Sequence, residues 1–157
     1  MFDPKLEEIL DGLVKDNGLE RRTLLLEVTE SAYTENAGEL LKVIERLRSK
    51  GYEIEMDDFG SGYSSLNLLS SMPVDVLKMD RGFIRNIEHS EQDFRLVELI
   101  LDIAKNLKMP VIAEGVETER QLAMLKDAGC DLVQGYYFSR PVPPEEFEKF
   151  IETEKRK

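Results

Sequence analysis

Ile54-Glu55-Met56-Asp57-Asp58-Phe59-Gly60 is the stretch on which the reading of the fold turns. An apolar run, Ile54 to Met56, reads as a buried strand and gives way abruptly to two adjacent carboxylates and a glycine-rich loop. The same arrangement recurs along the chain. Short apolar runs at Leu24 to Val28, Val74 to Met79, Val111 to Ala113 and Leu132 to Val133 each carry or precede a polar side chain: Glu27, Lys78, Glu114 and Gln134. Helical patterns separate the runs. Asp3 and Pro4 open the first helix, with Leu6, Ile9, Leu10 and Leu13 on one face. Leu40, Leu41, Ile44 and Leu47 mark the second, and Phe94, Val97, Ile100, Leu101, Ala104 and Leu107 the third. Thr118 and Gln121 have the spacing of a capping box ahead of a fourth. Phe147, Phe150 and Ile151 mark a last one after Pro143 and Pro144.

Strands alternating with helices predict βαβ units and parallel strands with right-handed crossovers. No glycine-rich phosphate fingerprint follows the first strand, which counts against a nucleotide-binding open sheet. The expectation is an α/β fold, part of a (β/α)8 TIM-type barrel with about five parallel strands. In a barrel all C-terminal strand ends meet at one mouth, so the polar residues of successive strands converge on one pocket. Polar residues also mark where any strand leaves a core. That reading weakens when five strands in succession show the pattern and when Lys78 and Asp57-Asp58 sit hard against apolar runs.

The chain has 157 residues, 41% hydrophobic and 34% charged, with 32 acidic against 21 basic side chains and a formal net charge of −11. A nucleic acid polymer is a poor partner for such a chain, because binding there depends on Lys and Arg neutralising phosphates. No run approaches the roughly 20 apolar residues of a membrane span, and Met1 to Lys5 lack a signal-peptide layout, so a cytoplasmic location is expected. The one cysteine, Cys130, and the one histidine, His89, do not suggest metal ligands. Glu27, Asp57, Asp58 and Glu114 instead form an all-oxygen set that selects Mg²⁺ or Mn²⁺ over zinc. Adjacent aspartates on an extended strand point opposite ways, so aiming Asp57 and Asp58 at one site requires a bend, for which Gly60 and Gly62 supply freedom. Two cations bridged by a carboxylate serve in-line displacement at phosphorus. Lys78 then orients or deprotonates the attacking water, or offsets charge on phosphoryl oxygens.

The segments Glu27-Val28-Thr29-Glu30, Asp57 to Leu66, Leu77-Lys78-Met79-Asp80, Ala113 to Thr118, and Gln134-Gly135-Tyr136 with Ser139-Arg140-Pro141 together resemble the successive motifs of the EAL domain. That family comprises cyclic-di-GMP-specific phosphodiesterases on a (β/α)8-type barrel. The resemblance implies hydrolysis of cyclic di-GMP to linear pGpG, with Lys78 and Glu114 catalytic and Glu27, Asp57, Asp58 and Glu114 holding two cations. Asp57 bridges them, and Glu30, Asp80, Glu117 and Gln134 support the site or face the substrate. Glu30 resembles the glutamate that steadies the loop Phe59, Gly60, Ser61, Gly62, Tyr63, Ser64 and Ser65. Ser61 and Met79 stand where threonine and isoleucine are commoner.

The family's Glu-Ala-Leu tripeptide and an asparagine motif, both ligands of the first metal, have no counterpart in these residues. A complete barrel takes about 250 residues. Residues 1–157 therefore read as the C-terminal portion of a single EAL domain. Open strand edges lead to the expectation of a homo-oligomer or strand-exchanged dimer. The missing ligands leave a second expectation, a non-catalytic cyclic-di-GMP receptor or protein-interaction module.

Overall fold

The computed structural model describes residues 3, 5–60, 69 and 71–154, with the side chains of Thr34 and of residues 152–154 left aside. Five strands form one all-parallel sheet in sequence order: β1 (Leu25–Thr29), β2 (Glu53–Phe59), β3 (Val76–Met79), β4 (Val111–Glu114) and β5 (Leu132–Gln134). Between them run α1 (Leu6–Asp16), ahead of β1, then α2 (Glu30–Ser49), α3 (Arg81–Ile84), α4 (Glu91–Asn106) and α5 (Glu119–Asp127), with α6 (Pro144–Glu154) after β5. The expected α/β fold is present, and every expected strand forms within a few residues of its apolar run.

Side chains directly opposite one another in a parallel pair share a face. Leu26, Ile54 and Leu77 with their partners therefore turn one way, toward the helices. There Ile54, Met56, Leu77, Met79 and Ala113 are completely buried, and with Ile44, Val97 and Leu125 they make the core. The opposite, inner face carries Glu27, Glu55, Asp57, Lys78, Glu114 and Gln134 among Leu25, Val76, Ile112 and Leu132. It is partly open: Leu25 and Leu132 are exposed.

Helix ends follow local chemistry. Asp3 accepts the Lys5 N–H at 2.8 Å, so the first helix begins at Leu6, two residues later than its Asp-Pro signal indicates; Pro4 lies outside the described residues. Thr118 and Gln121 form the expected capping box at α5. α1, α2 and α5 end on glycines in the left-handed region, Gly18, Gly51 and Gly129, whereas α4 ends on Lys108 at φ 57°. Each ending returns an N–H to a carbonyl five residues back: Leu19 to Val14, Tyr52 to Leu47, Cys130 to Leu125 and Met109 to Ala104.

At the N-terminal ends of the strands, two aspartates close the backbone. Asp75 accepts the Ile54 N–H at 2.9 Å and a bidentate pair from Arg48 at 2.6 and 3.1 Å, and Asp131 accepts the Val111 N–H at 2.9 Å. Asp11 on α1 gathers Lys50, Arg21 and Tyr52 within 3.0 Å. Among the described residues no helix is long and apolar enough to cross a membrane.

Candidate active site at the C-terminal strand ends

Lys78 is the centre of the site. Its side chain rises from β3 on the inner face, and its ammonium donates to Glu27 Oε1 at 2.5 Å, Asp57 Oδ1 at 2.8 Å and Glu114 Oε1 at 2.9 Å. Three carboxylates from β1, β2 and β4 thus meet on one cation from β3, which is the convergence that a parallel barrel mouth predicts. Lys78 is 9% exposed, Asp57 19%, Glu114 22% and Glu27 51%, so the cluster opens on the Glu27 side. Burial alone would drive the ammonium's pKa down. Hydrogen bonds to Asp57, Glu27 and Glu114 outweigh it and hold Lys78 well above the ordinary lysine range.

The bend required of Asp57-Asp58 is present, and it lies inside the strand. Met56 pairs with Leu77 and Phe59 with Met79, so three steps of β2 span two of β3. The extra residue is a β-bulge. Asp58 takes the left-handed conformation at φ 54°, costly for a residue with a side chain. Strain of this kind is characteristic of functional positions. The two aspartates therefore belong to β2 rather than following it. Gly60 continues the turn at φ 96°, and a Cβ there would fall 1.9 Å from the Phe83 ring, so the ring packs where only hydrogen fits. The Gly60 N–H donates to Glu30 Oε2 at 3.1 Å, which ties the start of the following loop to α2. Glu30 itself is buried. Ser61, Gly62, Tyr63, Ser64 and Ser65 of the expected loop lie outside the described residues.

The remaining expected site residues are less tightly gathered. Asp58 makes no ion pair with Lys78 among the described residues, and Glu117 and Gln134 are exposed. Gln134 stands directly opposite Glu114 in the sheet. Asp80 accepts the Gly82 N–H at 2.8 Å and caps the four-residue α3. His89 is exposed, and Cys130 turns its thiol toward the Leu132 and Val111 carbonyls, with burial pushing its pKa up.

One acidic residue of the cluster is absent from the motif reading. Glu55, 5% exposed, lies on the inner face directly opposite Glu27. Burial raises its pKa, opposed by the charge of Lys78. The signal was the two-residue alternation Glu53, Glu55, Asp57 against Ile54 and Met56.

No three acidic, histidine or cysteine side chains among the described residues form a ready metal cage; the ammonium stands where three of them point. The donor set nevertheless suits a hard divalent ion: oxygens only, three carboxylates already within 2.9 Å of one positive charge. A dication in that seat would meet the same groups that the lysine meets.

Comparison with known proteins agrees with this geometry. The EAL domain model matches residues 1–141. The chain is 47% identical over 134 residues to the cyclic di-GMP phosphodiesterase NbdA of Pseudomonas aeruginosa, covering 85% of this chain and 17% of NbdA. Among solved structures it superposes on the PaMucR phosphodiesterase in complex with c-di-GMP with a TM-score of 0.85 and 39% identity, over 92% of this chain and 58% of that one. A manganese and cyclic-di-GMP complex of Klebsiella pneumoniae BlrP1 matches with a TM-score of 0.82 and 35% identity, over 88% of this chain and 36% of that one. The chain thus spans about a sixth of the curated relative and little over half of the PaMucR chain. With the family model matched over residues 1–141 and the inner-face cluster built from its motifs, the chain belongs to the EAL domain family.

Proposed function

We propose that this chain contributes the Glu27, Asp57, Lys78 and Glu114 centre of a divalent-metal-dependent phosphodiesterase that hydrolyses cyclic di-GMP to linear pGpG. The observation that carries the reading is the meeting of three carboxylates from three strands on one buried lysine at the C-terminal strand ends. The phosphodiesterase named among its relatives and the c-di-GMP complex among its structural neighbours support the substrate. The manganese complex supports a divalent ion, which we assign as Mg²⁺ or Mn²⁺.

Glu27 and Asp57 would hold one cation and Asp58 and Glu114 a second, with Asp57 shared between them. Two such ions supply charge neutralisation at the phosphoryl oxygens and a more acidic attacking water. Lys78, a donor with three hydrogens, orients that water or offsets charge on the phosphate. Glu30 fixes the backbone just beyond the two aspartates through Gly60, so the loop enters the site from a set position. Gln134, opposite Glu114, and Glu117 and Asp80 support the rim.

The test is turnover of cyclic di-GMP with Mn²⁺, followed by separation of linear pGpG, with the molecular mass determined on the same sample. Asp57→Ala is expected to lower the rate by at least about 100-fold, the scale of losing one charge-stabilising contact at a reacting centre. Unchanged turnover in Asp57→Ala would overturn the assignment. Tight binding without turnover by the unmodified chain would instead make it a receptor. A multimeric mass would show that copies of the chain pair.

A further inference from the structure

Lys78 and Glu114 meet at the ends of neighbouring strands, but the segments that follow them separate. After β3 the chain turns at Asp80 into α3, and after β4 it turns through Gly115 to Thr118 into α5. The last paired residues of the two strands are Met79 and Ala113, and among the described residues no backbone hydrogen bond joins residues 80–88 to residues 115–121. On its other side the β4–α5 turn is held by main chain. The Val116 N–H donates to the Gln134 carbonyl at 3.1 Å, and the Tyr137 N–H donates to the Val116 carbonyl at 2.9 Å. Toward α3 the connection is left to side chains.

Gln121 makes it from a buried position. Its carbonyl accepts the Glu117 N–H at 2.8 Å and the Thr118 N–H at 3.2 Å, and its amide nitrogen donates to the Ile84 carbonyl at 3.2 Å. One planar group thus closes the N-terminus of α5 and grips the end of α3. A capping box needs only the accepting oxygen, which glutamate supplies equally well. The donating half of the amide reaches a different element. Two neighbours reinforce it. Thr118 Oγ1 donates to Glu88 Oε1, and Gly115, at φ 75°, lies so close to Arg81 that a Cβ there would fall 2.4 Å from the arginine Cβ.

We infer that Gln121 is a positioning residue: by tying the β4–α5 turn to α3 it holds Glu114 against Lys78. Lys78 stands two residues before the Asp80 cap of α3, and Glu114 immediately before Gly115. Their contact of 2.9 Å is therefore braced from outside the site, by a group that touches neither of them. The consequence for turnover rests on the phosphodiesterase reading above, whereas the consequence for the Lys78–Glu114 contact does not.

Gln121→Glu tests this by exchanging one amide nitrogen for oxygen. The carboxylate keeps both backbone donors, which with the helix N-terminus hold it ionised, but it has no hydrogen to give Ile84. Two quantities are read well below the thermal midpoint: hydrogen exchange of the Lys78 ammonium, by NMR on lysine isotopically labelled at Nζ, and turnover of cyclic di-GMP with Mn²⁺. Ammonium exchange is expected to quicken about fivefold, the scale of one lost hydrogen bond, and kcat to fall by a similar factor while KM moves less than about twofold. Asp131→Ala is the control, because it removes the acceptor of the Val111 N–H at the opposite end of β4. It should lower the thermal midpoint yet leave ammonium exchange within about twofold on the same scale. Unchanged exchange in Gln121→Glu overturns the inference. So does equal quickening in Asp131→Ala, since Gln121 would then act only through general stability. Faster exchange with unaltered kcat removes Gln121 from the reaction and overturns it as well. An unmodified chain without turnover overturns the phosphodiesterase reading, and ammonium exchange then decides this inference alone. Should circular dichroism show Gln121→Glu unfolded, Glu88→Ala, which removes the neighbouring tie to Thr118, takes its place with the same readouts.

Discussion

The two ends of the same five strands spend their charged residues differently. At the N-terminal ends, Asp75 and Asp131 accept backbone N–H groups of the neighbouring strand, and Arg48 closes on Asp75. Every such carboxylate has a local partner, and the result is closure of the sheet. At the C-terminal ends, Glu27, Asp57 and Glu114 make no side-chain bond to the backbone among the described residues and point at one side-chain cation. The backbone there carries the strain instead, in the bulge and the left-handed Asp58. Carboxylates satisfied by the main chain are committed to the fold. Those satisfied by a single ammonium can be offered to another cation.

The contrast is broken most severely by Lys78→Ala. Three carboxylates then share a partly buried site with no positive charge, and the metal-free protein should lose about 3 kcal/mol, the scale of orphaning a buried ion pair. Urea unfolding with and without Mn²⁺ checks it: the loss should shrink when Mn²⁺ is present. A loss indifferent to Mn²⁺ would mean that the two ends are alike in being structural.

At the other end Asp75→Ala should cost about 1–3 kcal/mol, because the Ile54 N–H loses its acceptor and Arg48 its partner. Here Mn²⁺ should make no difference to the loss, which the same urea series would show.

A smaller change of opposite sign is expected at Lys108. It occupies, at φ 57°, the left-handed helix-ending position that glycine fills in α1, α2 and α5. Lys108→Gly should stabilise by about 0.5–1 kcal/mol, the side-chain penalty relieved less the chain entropy that glycine adds. A rise in the thermal midpoint checks the sign.

The gentlest test is acid. Hydrogen bonds from Lys50, Arg21 and Tyr52 lower the Asp11 pKa from 3.8 to about 2. A carboxylate depressed in the folded state adds stability that is complete above its unfolded value and is lost as pH falls through the folded one. The tie between α1 and the residues around Tyr52 should therefore persist at pH 5 and weaken between about pH 4 and 2. An NMR titration of Asp11 would detect it, and a midpoint near 4 would remove this tie from the account.

Most of the architecture was legible because the strands are buried against helices on one face, and such strands show as apolar runs between amphipathic helices. The capping box at Thr118 and Gln121 was equally plain, since it depends on two residues three apart. What escaped the sequence was set by pairing between strands. Asp57 and Asp58 read as residues after a strand, yet β2 continues through them because Phe59 finds Met79 on β3. Glu55 was hidden by its apolar neighbours, its face being decided by register. The short α3 has too few residues to show a period, and its start is fixed by Asp80 reaching the Gly82 N–H. In the site, Glu27, Asp57, Lys78 and Glu114 were named from sequence and are assembled by the fold. Their meeting on the ammonium, with Lys78 as hub, could be read only from coordinates.

The bulge in β2 has a bearing on how this strand can be altered. Counted in twos, a strand assigns odd and even residues to opposite sides, and the extra residue between Met56 and Phe59 reverses that parity partway along. Removing one residue between them would restore regular alternation, with Phe59 still opposite Met79, but would take away one of the two aspartates and the left-handed turn that lets both follow Met56. Splices between this chain and its relatives should therefore be made outside the segment from Ile54 to Gly60, which can be exchanged only as a block.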